Sequence, residues 1–319
     1  MTCSRVVVIV PCFNEAATIA EVVNSFTQQL PDCRVIVCDN ASTDRTGQAA
    51  QAAGATVVHE PRPGKGNAVR RLFADVDADC YLLVDGDSTY DPLDAQRFVT
   101  LVDDGIDMVV GIRKTRTDEI TVYRRGHRFG NWILSYTFLR LFQFDIQDTL
   151  SGYRGLSRRF VKTFPSGATG FEIETDMNVH AASIGSSYAA IDTLYRARPE
   201  GSVSKLSTYR DGWRILRRNL RLFRDWRPVM AFSLLSIPWL CLGGFLFWRA
   251  LADYLAIDEV PKFPSLIAAM ACFLIALQIC VAGIILERVK RSRFEAMRLA
   301  YLAMPAPLSS GGQDVGRKV

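Results

Sequence analysis

No Cys-x-x-Cys pair occurs among the eight cysteines of this 319-residue chain. Thiolate metal-ligand spacing and a redox dithiol are therefore both missing. Cys241, Cys272 and Cys280 lie in apolar stretches, and Cys3, Cys12, Cys33, Cys38 and Cys80 lie in or beside strand-like runs. That placement reads as small apolar packing in a reducing compartment. No Gly-x-Gly-x-x-Gly turn follows the first strand-like run, which excludes a dinucleotide-dependent dehydrogenase. Ahead of Pro11 the N-terminus offers only residues 6–10 as an apolar run, too short for the core of a secretory signal. The N-terminal domain is therefore expected in the cytosol. The formal net charge of +5 is unevenly placed: residues 1–204 carry more acid than base, and the excess of Lys and Arg follows them. A general nucleic-acid binder is not expected from such a chain. Cations beside apolar spans suit anionic headgroups or phosphates better.

What is present falls into two halves. In the first, short Val- and Ile-rich runs at residues 5–10, 34–38, 55–58, 80–84 and 107–112 alternate with helical candidates at 16–28, 45–53, 67–75 and 94–103. Thr43 is placed to cap the second helix. This alternation predicts an α/β fold, an open and largely parallel sheet with helices on both faces. Ligands of such sheets bind at the carboxyl ends of strands. The polar residues expected there are Asn14, Glu15, Asp39, Asn40, Glu60, Asp85, Asp87 and Arg113.

In the second half, residues 229–248 and 263–286 contain no charged side chain. Each reaches the roughly 20 apolar residues that cross a bilayer. Pro238 is tolerable inside a membrane helix. Arginines crowd the outer flanks: Arg214, Arg217, Arg218, Arg221, Arg224 and Arg227 before, Arg288, Arg291 and Arg293 after, with Lys290 among them. By the positive-inside rule both flanks are cytoplasmic and the loop 249–262 faces outward. Residues 209–228 place Trp213, Leu216, Leu220 and Phe223 at helical spacing among arginines, the pattern of an interfacial helix. A solvated basic helix is the other reading of that segment. With no charge inside either span, nothing lines a transport pathway.

Chemistry centres on Asp85-Gly86-Asp87, two carboxylates separated by one small residue at a strand end. Paired hard oxygens hold Mg²⁺ or Mn²⁺, which can bridge a nucleotide diphosphate. Asp-Gly-Asp is also ordinary turn chemistry. It stands, however, with Pro11-Cys12-Phe13-Asn14-Glu15 after the first strand and Asp39-Asn40-Ala41-Ser42-Thr43-Asp44 after the second. Gly64-Lys65-Gly66-Asn67 opens the helix before Asp85. Asp39 can accept a hydrogen bond from a base N–H, and Lys65 can meet phosphate charge.

This ordered set resembles glycosyltransferase family 2, which has the GT-A fold. The resemblance spans residues 5–210. Val110-Gly111-Ile112-Arg113, Asp148-Thr149-Leu150-Ser151-Gly152-Tyr153-Arg154, the 170–174 segment and the 198–206 segment resemble motifs of dolichol-phosphate mannosyltransferases and polyprenyl-phosphate glycosyltransferases. The resemblance implies nucleotide binding through Pro11, Phe13, Glu15, Asp39, Lys65, Asp85 and Arg198, with Asp85 and Asp87 as metal ligands for Mg²⁺ or Mn²⁺. Asp87, Arg113 and Asp148 are the expected catalytic set. Arg124, Arg125, Arg128 and Lys205 are the expected acceptor-phosphate set; a solvated helix is the other reading of the three arginines. His127 replaces the usual Ser there, and Ser88-Thr89-Tyr90 replaces the usual Leu-Gln, which puts a third metal ligand at Thr89 in doubt. Glu174 and Asp176 are expected to be structural.

The domain plan that follows is a GT-A domain at 1–208 and a basic amphipathic helix at 209–228. Transmembrane helices at 229–248 and 263–286 flank the loop 249–262, and a basic cytoplasmic tail covers 287–319. The implied reaction is inverting transfer of a hexose from a nucleotide sugar, UDP-glucose first, to polyprenyl phosphate at the cytoplasmic membrane. GDP-mannose is the alternative donor, and a glycan or other lipid the alternative acceptor. A polysaccharide synthase needs more spans for a channel, and no Gln-x-x-Arg-Trp is present. Expected partners are a nucleotide sugar, a polyprenyl phosphate lipid, the membrane and further copies of the hairpin, with no nucleic acid.

Overall fold

The computed structural model describes residues 5–114, 148, 150–165, 173–196, 223–257 and 263–306. It divides into two units, Met1–Leu206 with Met297–Val319, and Ser207–Ala296.

In the first unit the strands are β1 (Val6–Cys12), β2 (Arg34–Asp39), β3 (Thr56–His59), β4 (Cys80–Leu83), β5 (Met108–Lys114), β6 (Arg154–Ser157) and β7 (Tyr188–Leu194). They form a sheet in the order β3-β2-β1-β4-β6-β5-β7. All pairings are parallel except those of β6, which runs antiparallel to both β4 and β5. The helices are α1 (Ile19–Gln29), α2 (Thr46–Ala52), α3 (Lys65–Asp75), α4 (Ala95–Asp103), α5 (Arg158–Lys162) and α6 (Ile173–Ile184).

Strand alternation decides which helix covers which face. Val7 and Ile9 of β1 point into a core completed by α3, α5 and α6, through Leu72, Phe160 and Met177. Val8 and Val10 point the other way, into a core completed by α1, α2 and α4 through Phe26, Ala50 and Phe98. Both faces of the central strands are thus buried, which is why they read as continuous apolar runs. The five anticipated strands are present with ends shifted by a residue or two. Thr43 does not cap α2; Arg45 holds that position, and Thr43 instead donates its backbone N–H to Asn14 Oδ1 at 2.8 Å.

The second unit contains α7 (Pro228–Ile257) and most of α8 (Phe263–Ala303), both long and apolar enough to cross a membrane. Ser236 meets Cys280 at 3.4 Å, Gly243 faces Phe273, and Lys290 donates to the Trp226 carbonyl at 2.7 Å. Partners ascend one helix as they descend the other, so the pair is an antiparallel hairpin. Outward apolar side chains such as Phe245, Trp248 and Leu277 stay exposed. Both helices outrun the anticipated spans. Residues 249–257, expected in the loop, extend α7, because they contain neither Gly nor Pro. Residues 287–303, expected in the tail, extend α8 through i,i+3 and i,i+4 pairs such as Lys290–Glu287 and Arg291–Glu295.

Candidate active site

Strand order places a topological switch between β1 and β4, whose carboxyl ends open a crevice. The loops after β1 and β2 are stitched together beside it. Asn14 N–H donates to Ser42 Oγ, Glu15 N–H to Thr46 Oγ1 at 2.8 Å, and Ala16 N–H to Asp44 Oδ2. Much of the Pro-x-Phe-Asn-Glu and Asp-Asn-x-Ser-x-Asp pattern is therefore scaffolding. Asn40, buried, spans further: its amide donates to the carbonyls of Glu60 and Arg62 and accepts from Gly64 N–H at 2.6 Å. That last bond holds Gly64 at φ 128°, a backbone that suits glycine, and so sets where α3 begins.

Within this frame Pro11 is buried in β1 and Phe13 is 40% exposed at its end. Asp39 accepts Ser42 N–H at Oδ1, while Oδ2 lies 3.6 Å from His59 Nδ1. Cys12 sits behind Gly86, and burial together with Glu15 and Asp85 pushes its thiol well above the usual range. It packs as an inert apolar group.

At the end of β4, Lys65 reaches from the first turn of α3 to Asp85 Oδ1 at 2.5 Å and to Glu174 Oε1 of α6 at 2.6 Å. Burial alone would lower the lysine's pKa, but the two carboxylates reverse this and hold it protonated. Gly152 presses on Asp85: a Cβ at position 152 would collide with both carboxylate oxygens, so no other residue leaves this carboxylate in place. Asp87 is oriented by Thr89, whose hydroxyl donates to its Oδ1 at 2.6 Å. Thr89 thus serves as a support for Asp87.

Arg113, at the end of β5, forms a two-pronged pair with Asp148: Nε to Oδ2 at 2.8 Å and Nη2 to Oδ1 at 2.6 Å. Its backbone N–H also donates to Oδ2. The antiparallel strand explains how Asp148 arrives. Arg154 begins β6 opposite Leu83, the last residue of β4, so the residues before it lie at the crevice edge. Arg154 itself is fully buried, donating to the Ser151 carbonyl at 2.9 Å and to Asn178 Oδ1 at 2.5 Å. Asn178 is one turn beyond Glu174 on α6, so this arginine ties the signature loop to the helix that presents Glu174.

Asp85, Asp87, Lys65, Arg113 and Asp148 therefore lie along one edge of the sheet. Arg198, Arg124, Arg125, His127, Arg128 and Lys205 lie outside the described residues, as do most of the 209–228 helix and the tail beyond residue 306. Glu174, expected to be structural, contacts the Lys65 centre directly. Its signal was only its position in the Gly-Phe-Glu-Ile-Glu segment. Among the described residues no three His, Cys, Asp or Glu side chains cluster to hold a metal. Two carboxylates with no soft ligand nevertheless suit a hard cation that draws its other ligands from a substrate.

An open sheet with carboxylates, a lysine and an arginine at its switch-point crevice defines a GT-A-type glycosyltransferase domain. The sequence pattern of Glycosyl transferase family 2 matches residues 7–164. Glycosyltransferase AglJ of Haloferax volcanii is 32% identical over 304 residues, 93% of this chain and 97% of AglJ. The dolichyl-phosphate hexose transferase of the same organism is 29% identical over 196 residues, covering 60% of this chain and 82% of that one. Glucosyl-3-phosphoglycerate synthase from Mycobacterium tuberculosis, solved with Mn²⁺, UDP-glucose and phosphoglyceric acid, aligns with TM-score 0.53 and 26% identity over 67% of this chain and 79% of that one. The chain belongs to glycosyltransferase family 2 and is a glycosyltransferase.

Proposed function

We propose that the protein transfers a hexose, glucose from UDP-glucose in the first instance, to polyprenyl phosphate with inversion at the anomeric carbon. The reaction is placed at the cytoplasmic face of the cytoplasmic membrane, with both apolar helices spanning it. The observation that carries this reading is the presence, in one chain, of the Asp85–Lys65–Arg113 crevice and an apolar helical hairpin. The near full-length match to AglJ, the name of the dolichyl-phosphate relative and the UDP-glucose complex of the structural neighbour all support it.

Asp85 and Asp87 would hold Mg²⁺ or Mn²⁺, which when bound supplies positive charge against the departing diphosphate. Lys65 adds a second cation beside it. The phosphate oxygen of the acceptor is already anionic near neutral pH, so no side chain needs to remove a proton. Asp148 agrees with that: both its oxygens are engaged by Arg113, which orients the guanidinium for phosphate rather than leaving a base. Alignment and electrostatic stabilisation are then the enzyme's main contributions. Pro11, Phe13, Glu15 and Asp39 border the nucleoside position, and Arg198, Arg124, Arg125, Arg128 and Lys205 complete the phosphate contacts in this reading.

The test is product chemistry. Purified protein is incubated with Mg²⁺ or Mn²⁺, a panel of labelled nucleotide sugars and a short polyprenyl phosphate. Label in a charged lipid is the expected result, strongest with UDP-glucose. Label in a polymer, or hydrolysis alone with a competent acceptor present, would overturn it.

A further inference from the structure

We propose that Lys65 is a built-in cation that occupies Asp85 until a divalent ion arrives, and that Glu174 is the positioning residue that receives it. The inference rests on the reading of Asp85 and Asp87 as the cation ligands. Three observations carry it. First, the lysine ammonium is shared almost equally, 2.5 Å from Asp85 Oδ1 and 2.6 Å from Glu174 Oε1. Second, the two carboxylates differ in surroundings: Gly152 backs directly onto Asp85, whereas Glu174 Oε2 is buried with no hydrogen-bond partner among the described residues. A buried acceptor without a donor is costly, and one placed beside a flexible lysine is a second seat for the same ammonium. Third, the three groups come from separate segments, α3, the loop after β4 and α6, so a turn of the lysine stem is enough to shift the ammonium between the two carboxylates.

Like charge then sets the order of events. A divalent ion on Asp85 repels an ammonium held on the same carboxylate. Lys65 must leave, and by turning wholly to Glu174 it keeps a negative partner while staying beside the diphosphate position. Without Glu174 the lysine loses one of its two carboxylate partners, and its remaining pair with Asp85 competes with the cation. The divalent ion and Lys65 are therefore linked through one carboxylate, and the linkage is reciprocal. Glu174 acts through Lys65 and touches neither the cation nor the sugar in this scheme.

Mn²⁺ binding to the full chain in detergent, without nucleotide, tests this by the EPR signal of free Mn²⁺, independently of turnover. Asp85→Asn should abolish the site. Glu174→Gln should weaken Mn²⁺ binding roughly tenfold, and Lys65→Met/Glu174→Gln should restore it to wild-type strength or better. Thermal midpoints confirm that each variant is folded. If the double variant binds no better than Glu174→Gln, or Glu174→Gln binds as wild type does, Lys65 is no competitor and the inference is overturned. If Asp85→Asn changes nothing, the cation assignment itself fails as well. Neither result depends on which sugar or lipid is the substrate, so the outcome of the transfer assay is separate.

Discussion

The two edges of the sheet each bury a carboxylate, and they treat it in opposite ways. At the amino edge, Asp107 precedes β5 and is fully buried. It accepts from Arg159 Nε and Nη2 at 2.6 and 2.7 Å, Ser157 Oγ at 2.7 Å, Ser187 Oγ at 2.9 Å and Tyr301 Oη at 2.6 Å. Every lone pair is used. At the carboxyl edge, Glu174 leaves one oxygen unpartnered among the described residues and shares a single ammonium with Asp85. Backbone strain follows the same division. The four described non-glycine residues with positive φ, Asn14, Ala41, Ser88 and Asp148, all lie at the carboxyl edge. At the amino edge positive φ falls on Gly54, Gly105 and Gly185, which adopt it without strain. A completed electrostatic cluster holds the fold; an incomplete one beside strained loops is the arrangement that a ligand site would need.

The sharpest way to break the comparison is at the incomplete edge. Asp87→Asn should lower sugar transfer roughly a thousandfold, the scale of losing one preorganised charge at a reacting diphosphate. The thermal midpoint should hardly move. Next in size is Asp148→Asn, which removes charge from the Arg113 pair but keeps its shape. Transfer should fall roughly tenfold to a hundredfold, as for other orienting partners of a site residue. Steady-state kinetics separate the two: Asp87→Asn alone should raise the cation concentration needed for half-maximal rate.

How far the carboxyl edge was legible follows from what is local. Runs such as Val6–Cys12 lie between turn residues, and Asp85-Gly86-Asp87 ends one of them, so strand-end placement followed from chain order. The four-residue β6 did not stand out, because it begins with Arg154, a residue that reads as surface until its partners Ser151 and Asn178 are known. The contact of Glu174 did not stand out for a similar reason: its partner Lys65 is more than a hundred residues away in sequence. The Asp107 network is more remote still, joining β5 to Tyr301 beyond the second apolar span. Short-range pattern carries strands and turns, whereas buried ion pairs across distant segments leave no periodic trace.

At the completed edge the expected effects are on stability. Tyr301→Phe removes one donor to a buried carboxylate and should cost about 1–3 kcal/mol, with the transfer rate per folded molecule unchanged. Denaturant melts of wild type and variant measure it. Burial by itself would raise the Asp107 carboxyl, but Arg159, Tyr301 and Ser157 together hold it below the usual range. A lowered carboxyl favours the folded state above the unfolded value of about 3.9 and loses that contribution as pH falls through its folded value. The Tyr301→Phe difference should therefore be full at neutral pH and shrink in acid below about pH 4. A difference that persists there would mean that the hydroxyl acts on something other than the charge.

The smallest effect tests whether the amino-edge face is stable because its groups are satisfied or simply because they are buried. His180 of α6 lies against Phe160 and Phe164, with Nδ1 buried and unpartnered among the described residues. Burial pushes its pKa down to about 4. The folded protein thus keeps the imidazole neutral, whereas the unfolded chain protonates it near 6.5. Its contribution is complete above that pH, declines as the unfolded chain gains the proton, and is lost as pH falls through about 4. Between pH 6.5 and 5.5 the loss should be about 1 kcal/mol. His180→Leu keeps an apolar group between the two rings and should remove that slope while leaving the acid loss from Asp107. If the slope survives in the leucine variant, burial of His180 is not its source, and a titrating group elsewhere in the chain carries it.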